Sequence, residues 1–598
     1  MLQNLPFDLP SLHTSYVNGI TPHQIVAESQ RRIAVVNDPG IFIYQLTDSE
    51  ITQQIESLGE FDLSEKPLWG IPFVIKDNID AAGIDTTAAC PDYAYRPDQD
   101  AFVVALLKKA GALLIGKTNL DQFATGLVGV RTPFPAPKNA IDPEIVPGGS
   151  SSGSATAVAH GLVCFSLGTD TAGSGRVPAA LNSIVGLKPS LNTLSLSGVV
   201  PACKTLDTVS VFALNVEDAY QVFSIVSQFD NTDAYSRDLS VLSLQPAPAS
   251  FKVGVPSKQS IRFFGDDIQS AMFYDSLNQL QSLGAEIIEV DFELLYQIAE
   301  LLYQGAWVAE RYTVIEDLLK TSPEAIHPTT LNVIQKAETI SSADVFRDFY
   351  QLQSLKSKVI PLLKDFNMLC VPTIPTFYTV SDLAADPVGP NSRFGTYTNF
   401  VNLLDLCGIA IPVNKRSDGR PGSVTLLATA GKDAEIASVG IQLQRSSNAT
   451  VGATDWTLPK KTELLPTINE GEMILAAVGA HMSGLPLNRE LTERGGRLLR
   501  ADKTADNYKL YSLPGGPPFR PGLVRDTSGS SIDLELWILP ESQLGSFIQG
   551  IPMPLVIGTI ILSNGEQVKS FLCEPIGLDG ALDITHFGGW RAFLESKS

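Results

Sequence analysis

The sequence predicts an α/β chain built on a mixed, mainly parallel sheet covered by helices on both faces, followed by a smaller α+β domain. Three observations carry this expectation. From residue 70 onward, short apolar runs bounded by glycine or proline alternate with helical patterns. The alternation returns after residue 250. From Met473 it gives way to closely spaced runs of β type.

Taken in order, IPFVIKD (71–77) reads as a strand and AFVVALLKKAG (101–111) as a helix stopped by Gly111. ALLIGK (112–117) is the next strand, SATAVAHG (154–161) a helix, and LVCFSLG (162–168) a strand. FKVGVPS (251–257), a helix over 270–284 and AEIIEVDF (285–292) repeat the rhythm, as do LCVPTIPT (369–376) and VTLLATAG (424–431). One domain is therefore expected over 1–455. A polar, proline-bearing stretch over 456–472 reads as a linker. The second domain spans 473–598, where LELWILP (534–540) and PLVIGTIILSNGEQVKSFLCE (554–574) read as strands, with a hairpin turn at Asn564-Gly565.

Composition narrows the function. The 598 residues carry a net charge of −21, which argues against nucleic acid or an anionic membrane as partner and for a soluble protein, and an anionic substrate would need a local cationic pocket. The six cysteines show no metal-ligand or disulfide spacing, and no metal or organic cofactor is indicated. The stretch MLQNLPFDLPSLH lacks a basic-then-apolar pattern and the apolar runs are too short to span a bilayer, so a cytoplasmic address is expected.

Two small-residue turns then stand out. PGGSSSGSATAV (147–158) runs directly into a helix, so its glycines serve tight backbone geometry at a helix start. GTDTAGSGRVPAAL (168–181) crowds small residues at the end of the next strand and encloses Ser174. One helix and one strand separate Ser150 from Ser174, the path that brings two strand-end loops side by side. A serine needs a base, and none of the six histidines has a triad context. Lys76 ends the strand IPFVIKD, where burial would lower its pKa and free its lone pair.

GGSSSGSA, DTAGSGR and the lysine of VIKDNID together resemble the amidase signature family, over roughly residues 20–450. The resemblance implies that Ser174 is the nucleophile, Ser150 a bridging serine on a non-proline cis peptide, and Lys76 the base. It also implies an oxyanion hole from the backbone N–H groups of Thr171, Ala172, Gly173 and Ser174. Ala172 departs from the glycine that many members carry and matches the branch that hydrolyses allophanate; at positive φ an alanine would be strained. Ser151, Ser152 and Ser154 are expected as caps and supporting donors, and Asp170 and Arg176 as residues that hold the loop's shape.

The run LLYQGAWVAERYTVI (301–315) resembles the same branch, in which the tyrosine and arginine hold the substrate's carboxylate. On one helix Tyr303 and Arg311, eight residues apart, lie about 80° out of register, and a guanidinium fork suits a carboxylate. AAVGAHMSGLPLN, FRPGLVRD, IPMPLVIGT and DITHFGGWRAFL resemble the branch's C-terminal domain, itself similar to the γ-glutamyl cyclotransferase fold. His481 and His586 are the candidate residues there. The resemblance further implies an amidohydrolase releasing ammonia and N-carboxycarbamate from allophanate in urea degradation. It also implies functional coupling to a urea carboxylase, and a homodimer. The alternatives are a general amidase or an amidotransferase glutaminase subunit, and a non-enzymatic scaffold, which would be expected to have lost Lys76, Ser150 or Ser174.

Overall fold

The computed structural model describes residues 2–239, 241–447, 450–460 and 466–597. The chain divides into two compact units: residues 1–241 with 251–461, and residues 242–250 with 462–598. Part of the expected linker, 461–465, lies outside the described residues.

The first unit is organised on an eleven-stranded mixed sheet. One end holds the parallel neighbours Leu113–Thr118, Pro72–Lys76 and Phe165–Asp170, and the other holds Met368–Pro372, Phe251–Pro256 and Ala285–Val290, also parallel. Between them Thr208–Ala213, Val185–Lys188, Leu406–Val413 and Gly422–Thr429 run antiparallel to their neighbours, as does the edge strand Phe42–Gln45. The sheet is therefore mixed, with its parallel ladders in two blocks. The strands Pro72–Lys76 and Phe165–Asp170 are buried at every residue, as central strands covered on both faces must be.

Two features aim this sheet at one spot. Phe73 pairs with Phe165 and Ile75 with Leu167 in parallel, so the C-terminal ends of the two strands, Lys76 and Asp170, emerge on one side. The helix Ser152–Ala159 connects back through residues no larger than valine and threonine, all buried. Small side chains let its axis lie close to the sheet, and the chain returns through Phe165–Asp170 to the level at which it left.

The second unit holds a five-stranded sheet in the order Arg497–Lys503, Asp533–Pro540, Glu472–Ala477, Gln567–Cys573, Leu555–Ile561, and a three-stranded sheet of Pro521–Arg525, Tyr508–Ser512 and Leu582–Asp583. Its own core includes Leu475, Leu510, Leu536, Phe571 and Trp590. The hairpin at Asn564-Gly565 forms, with Gly565 at φ 88° as the tight turn requires. Residues 242–250 join this unit, where Gln245 accepts from the Thr467 N–H at 3.0 Å. No helix among the described residues is long and apolar enough to cross a membrane.

Candidate active site

Lys76 ends its strand fully buried, with Nζ donating to Ser150 Oγ at 2.7 Å and to Thr169 Oγ1 at 2.7 Å. Burial pushes its pKa down to about 7. The carboxylates of Asp121, Asp207 and Asp170 pull the other way, while the Arg311 charge adds to the depression. Near neutral pH the amine is thus poised between its two forms.

Ser150 follows a cis peptide bond from Gly149. A Cβ at Gly149 would collide with Asp121 Oδ2 and lie 2.5 Å from Gly129 N, so only glycine fits beneath that carboxylate. Asp121 in turn accepts from the N–H groups of Gly129 and Arg131, both at 2.9 Å, and donates its own N–H to Ser150 O. Ser151 shows no N-capping bond. Its hydroxyl donates across to Thr169 O at 3.2 Å, and Ser154 Oγ donates to Leu167 O at 3.0 Å. These serines stitch the helix to the neighbouring strand, because close packing turns their hydroxyls toward its carbonyls. Of the caps and supporting donors expected, the structure has the supporting donors at Ser151 and Ser154, with no side-chain cap at the helix start.

The loop after Asp170 carries Ser174, which is 2 % exposed. Arg176 and Asp170 form a fully buried ion pair at 2.9 Å. Burial alone would raise the Asp170 carboxyl, but the adjoining guanidinium overrides it and holds the group below the ordinary range. Gly173 N–H donates to Asp170 Oδ1 at 2.9 Å, so it is already engaged. The backbone N–H groups of Thr171, Ala172 and Ser174 make no hydrogen bond among the described residues, leaving three of the four expected oxyanion donors available. Gly173 has φ 126°, whereas Ala172 is not at positive φ, and the alanine is accommodated without strain.

Tyr303 and Arg311 do not share one helix. Glu293–Gln304 ends at Gly305, and Trp307–Thr321 begins after it. The turn still brings them together: Arg311 Nη2 donates to Tyr303 Oη at 3.4 Å, and the guanidinium carbon lies 5.1 Å from the ring centroid. Arg311 is buried, donates to Thr125 Oγ1 at 3.1 Å, forms no ion pair among the described residues, and has an Nε without a partner there. The Asp207 and Glu310 carboxylates act on it only from beyond ion-pair distance, so a buried guanidinium so placed gains from an anion that joins it.

In the second unit His481 stacks on Phe571 at 4.8 Å, with Nε2 3.0 Å from Glu490 Oε2. Burial lowers its pKa, with Glu490 opposing. His586 lies exposed against Phe587, whereas His481 lines a cavity together with Arg520, Leu555 and Phe571. Sequence reasoning missed Thr169, Asp121 and Asp207. Thr169 stands inside GTDTAGS; the other two act through contacts that no local pattern announces.

The family model named Amidase matches residues 24–437. The chain belongs to the amidase family. The model of the allophanate hydrolase C-terminal domain matches residues 473–595 of this amidase. The urea amidolyases of Lachancea kluyveri and Saccharomyces cerevisiae are 45 % and 44 % identical to it over 545 residues, 88 % of this chain. The amidase spans 30 % of the length of each of these relatives. A solved structure of Kluyveromyces lactis allophanate hydrolase superposes with a TM-score of 0.92 at 40 % identity, covering 99 % of this chain and all of that one. A glutamyl-tRNA(Gln) amidotransferase subunit of Carboxydothermus hydrogenoformans is 34 % identical over 377 residues, 58 % of this amidase and 77 % of that relative.

Proposed function

We propose that the chain hydrolyses allophanate, the N-carboxylated form of urea, by acyl transfer to Ser174. One observation carries the reading: a buried Lys76–Ser150 hydrogen bond occurs in the same unit as Arg311, a buried guanidinium without an ion-pair partner among the described residues. The likeness to allophanate hydrolase over nearly the whole chain supports it.

The neutral Lys76 amine takes a proton from Ser150 as Ser150 takes one from Ser174. Ser174 Oγ bonds to the terminal amide carbon. The N–H groups of Thr171, Ala172 and Ser174 hold the oxyanion, while Gly173 stays with Asp170. The C–N bond then breaks, the proton returns along the relay to the departing nitrogen, and ammonia leaves an ester on Ser174. Water, activated by the same relay, releases N-carboxycarbamate. Arg311 and Tyr303 hold the substrate's carboxylate, which supplies the selectivity that so small a molecule cannot gain from apolar contact.

The second unit assists breakdown of N-carboxycarbamate to the second ammonia and carbon dioxide, with His481 its candidate residue. Allophanate reaches the enzyme from a urea carboxylase, the enzyme works in the cytoplasm, and it assembles as a homodimer. An amidotransferase role fits less well, since the amidotransferase subunit matches only 58 % of this chain and the second unit matches the allophanate hydrolase C-terminal domain instead. The test is ammonia released per allophanate consumed, with Ser174→Ala as control. Two ammonias are expected, and cleavage of other amides with none of allophanate would overturn the reading. Light scattering of the intact chain checks the dimer.

A further inference from the structure

We propose that Asp207 is a positioning residue of the oxyanion loop, holding Thr171 so that its backbone N–H faces the reacting carbonyl. The inference rests on the proposed role of Ser174. The loop is tied down residue by residue. Asn402 Nδ2 donates to Asp170 O at 2.8 Å, Thr398 Oγ1 donates to Ala172 O at 2.6 Å, and Asp170 gathers Gly173 N–H and Arg176. Thr171 is held by its side chain alone. Its backbone N–H and C=O make no hydrogen bond among the described residues, and its hydroxyl donates to Asp207 Oδ1.

The sheet dictates this meeting. Asp170 pairs with Thr208 in the antiparallel ladder, so one step beyond it Thr171 faces Asp207. Asp207 is itself anchored by hydrogen bonds: its carboxylate accepts from Ala202 N–H at 2.7 Å and Cys203 N–H at 3.1 Å, and its own N–H donates to Cys203 O at 2.8 Å. That turn is docked on the helix bearing Arg311, through Cys203 Sγ to Trp307 O and through Thr205 to Glu310. An anchored carboxylate thus joins the oxyanion loop to the element that carries the anion-binding arginine. Burial raises its pKa to about 6, against the Thr171 hydroxyl, the two amides and the Arg311 charge, so it is mainly ionised at neutral pH.

Ionised Asp207 also acts on Lys76. With Asp121 and Asp170 it favours the ammonium form, which Arg311 disfavours. Replacing it by asparagine should therefore lower the Lys76 pKa and move the acid limb of the rate profile to lower pH.

The experiment compares Thr171→Val, Thr171→Ser, Asp207→Asn and the Val/Asn double variant in the full chain. It follows ammonia release from allophanate between about pH 5.5 and about pH 9. Thr171→Val and Asp207→Asn are each expected to lower kcat by about 10- to 100-fold, with KM changed by less than about twofold, as for a displaced oxyanion donor. The double variant should fall no further than the worse single one, Thr171→Ser should stay within about threefold of wild type, and the acid limb should move in Asp207→Asn and in the double variant but in neither Thr171 variant. Wild-type kcat in Thr171→Val, losses that multiply, or an unmoved limb in Asp207→Asn overturns the proposal. If Asp207→Asn fails to fold, the contrast between Thr171→Val and Thr171→Ser decides. An inert Ser174→Ala beside a fully active Thr171→Val removes this proposal alone, and an active Ser174→Ala removes the nucleophile reading and this proposal with it.

Discussion

In the proposed mechanism Lys76 sets the pH behaviour. A group whose pKa falls on burial loses its proton earlier, and only the neutral amine accepts one from Ser150. With the value near 7, kcat/KM should rise through about pH 7 and fall about tenfold per unit below it. A profile flat from about pH 5 to about pH 8 would remove Lys76 as the base. Arg311 makes a different claim. An ammonium cannot reproduce the guanidinium fork, so Arg311→Lys should raise the KM for allophanate by about 10- to 100-fold with an unchanged melting curve. Steady-state kinetics beside thermal denaturation checks it. Both residues could be named from the sequence, Lys76 by its place at the end of an apolar strand and Arg311 by its run of neighbours. Thr125, the partner of Arg311, could not, because it arrives from an element distant along the chain; Thr169, the partner of Lys76, lay inside a motif but without a sign of its contact.

At the scale of the element, the loop 170–174 concentrates the constraint. A Cβ at Gly173 would stand 2.5 Å from Thr398 Oγ1, and the residue's φ of 126° is one that L side chains rarely adopt. Gly173→Ala should therefore cost about 1–3 kcal/mol of stability and lower kcat by about 100-fold as the neighbouring N–H groups shift. Calorimetry and single-turnover rates measure the two effects. The serine-rich helix start carries a matching lesson. The cap expected there gave way to cross-links with Leu167 and Thr169, because the Ser151 hydroxyl oxygen accepts from the Thr169 N–H in place of a helix amide.

At the scale of the molecule, each compact unit has its own apolar core. A chain ending at residue 460 should retain release of the first ammonia at nearly the full rate and lose the acceleration of the second. Counting both ammonias against time separates the two. That shortened chain would also strip residues 242–250 of their unit, and Gln245 of its bonds to Thr467. Increased proteolysis there, with the first unit otherwise intact, is the expected mark.

The sequence by itself determined the alternation of strands and helices, the change of texture near residue 473, the three-motif triad candidate and the loop that carries Ser174. These are properties of local period, of glycine placement and of residue types at short spacing, which a chain displays before it folds. Only the tertiary structure decided that the parallel ladders form two blocks, that Tyr303 and Arg311 meet across a turn, that Gly173 N–H belongs to Asp170, and that Asp207 faces Thr171. Each of these depends on which strand lies beside which and in what register, and a register joins residues whose separation along the chain leaves no trace in local pattern.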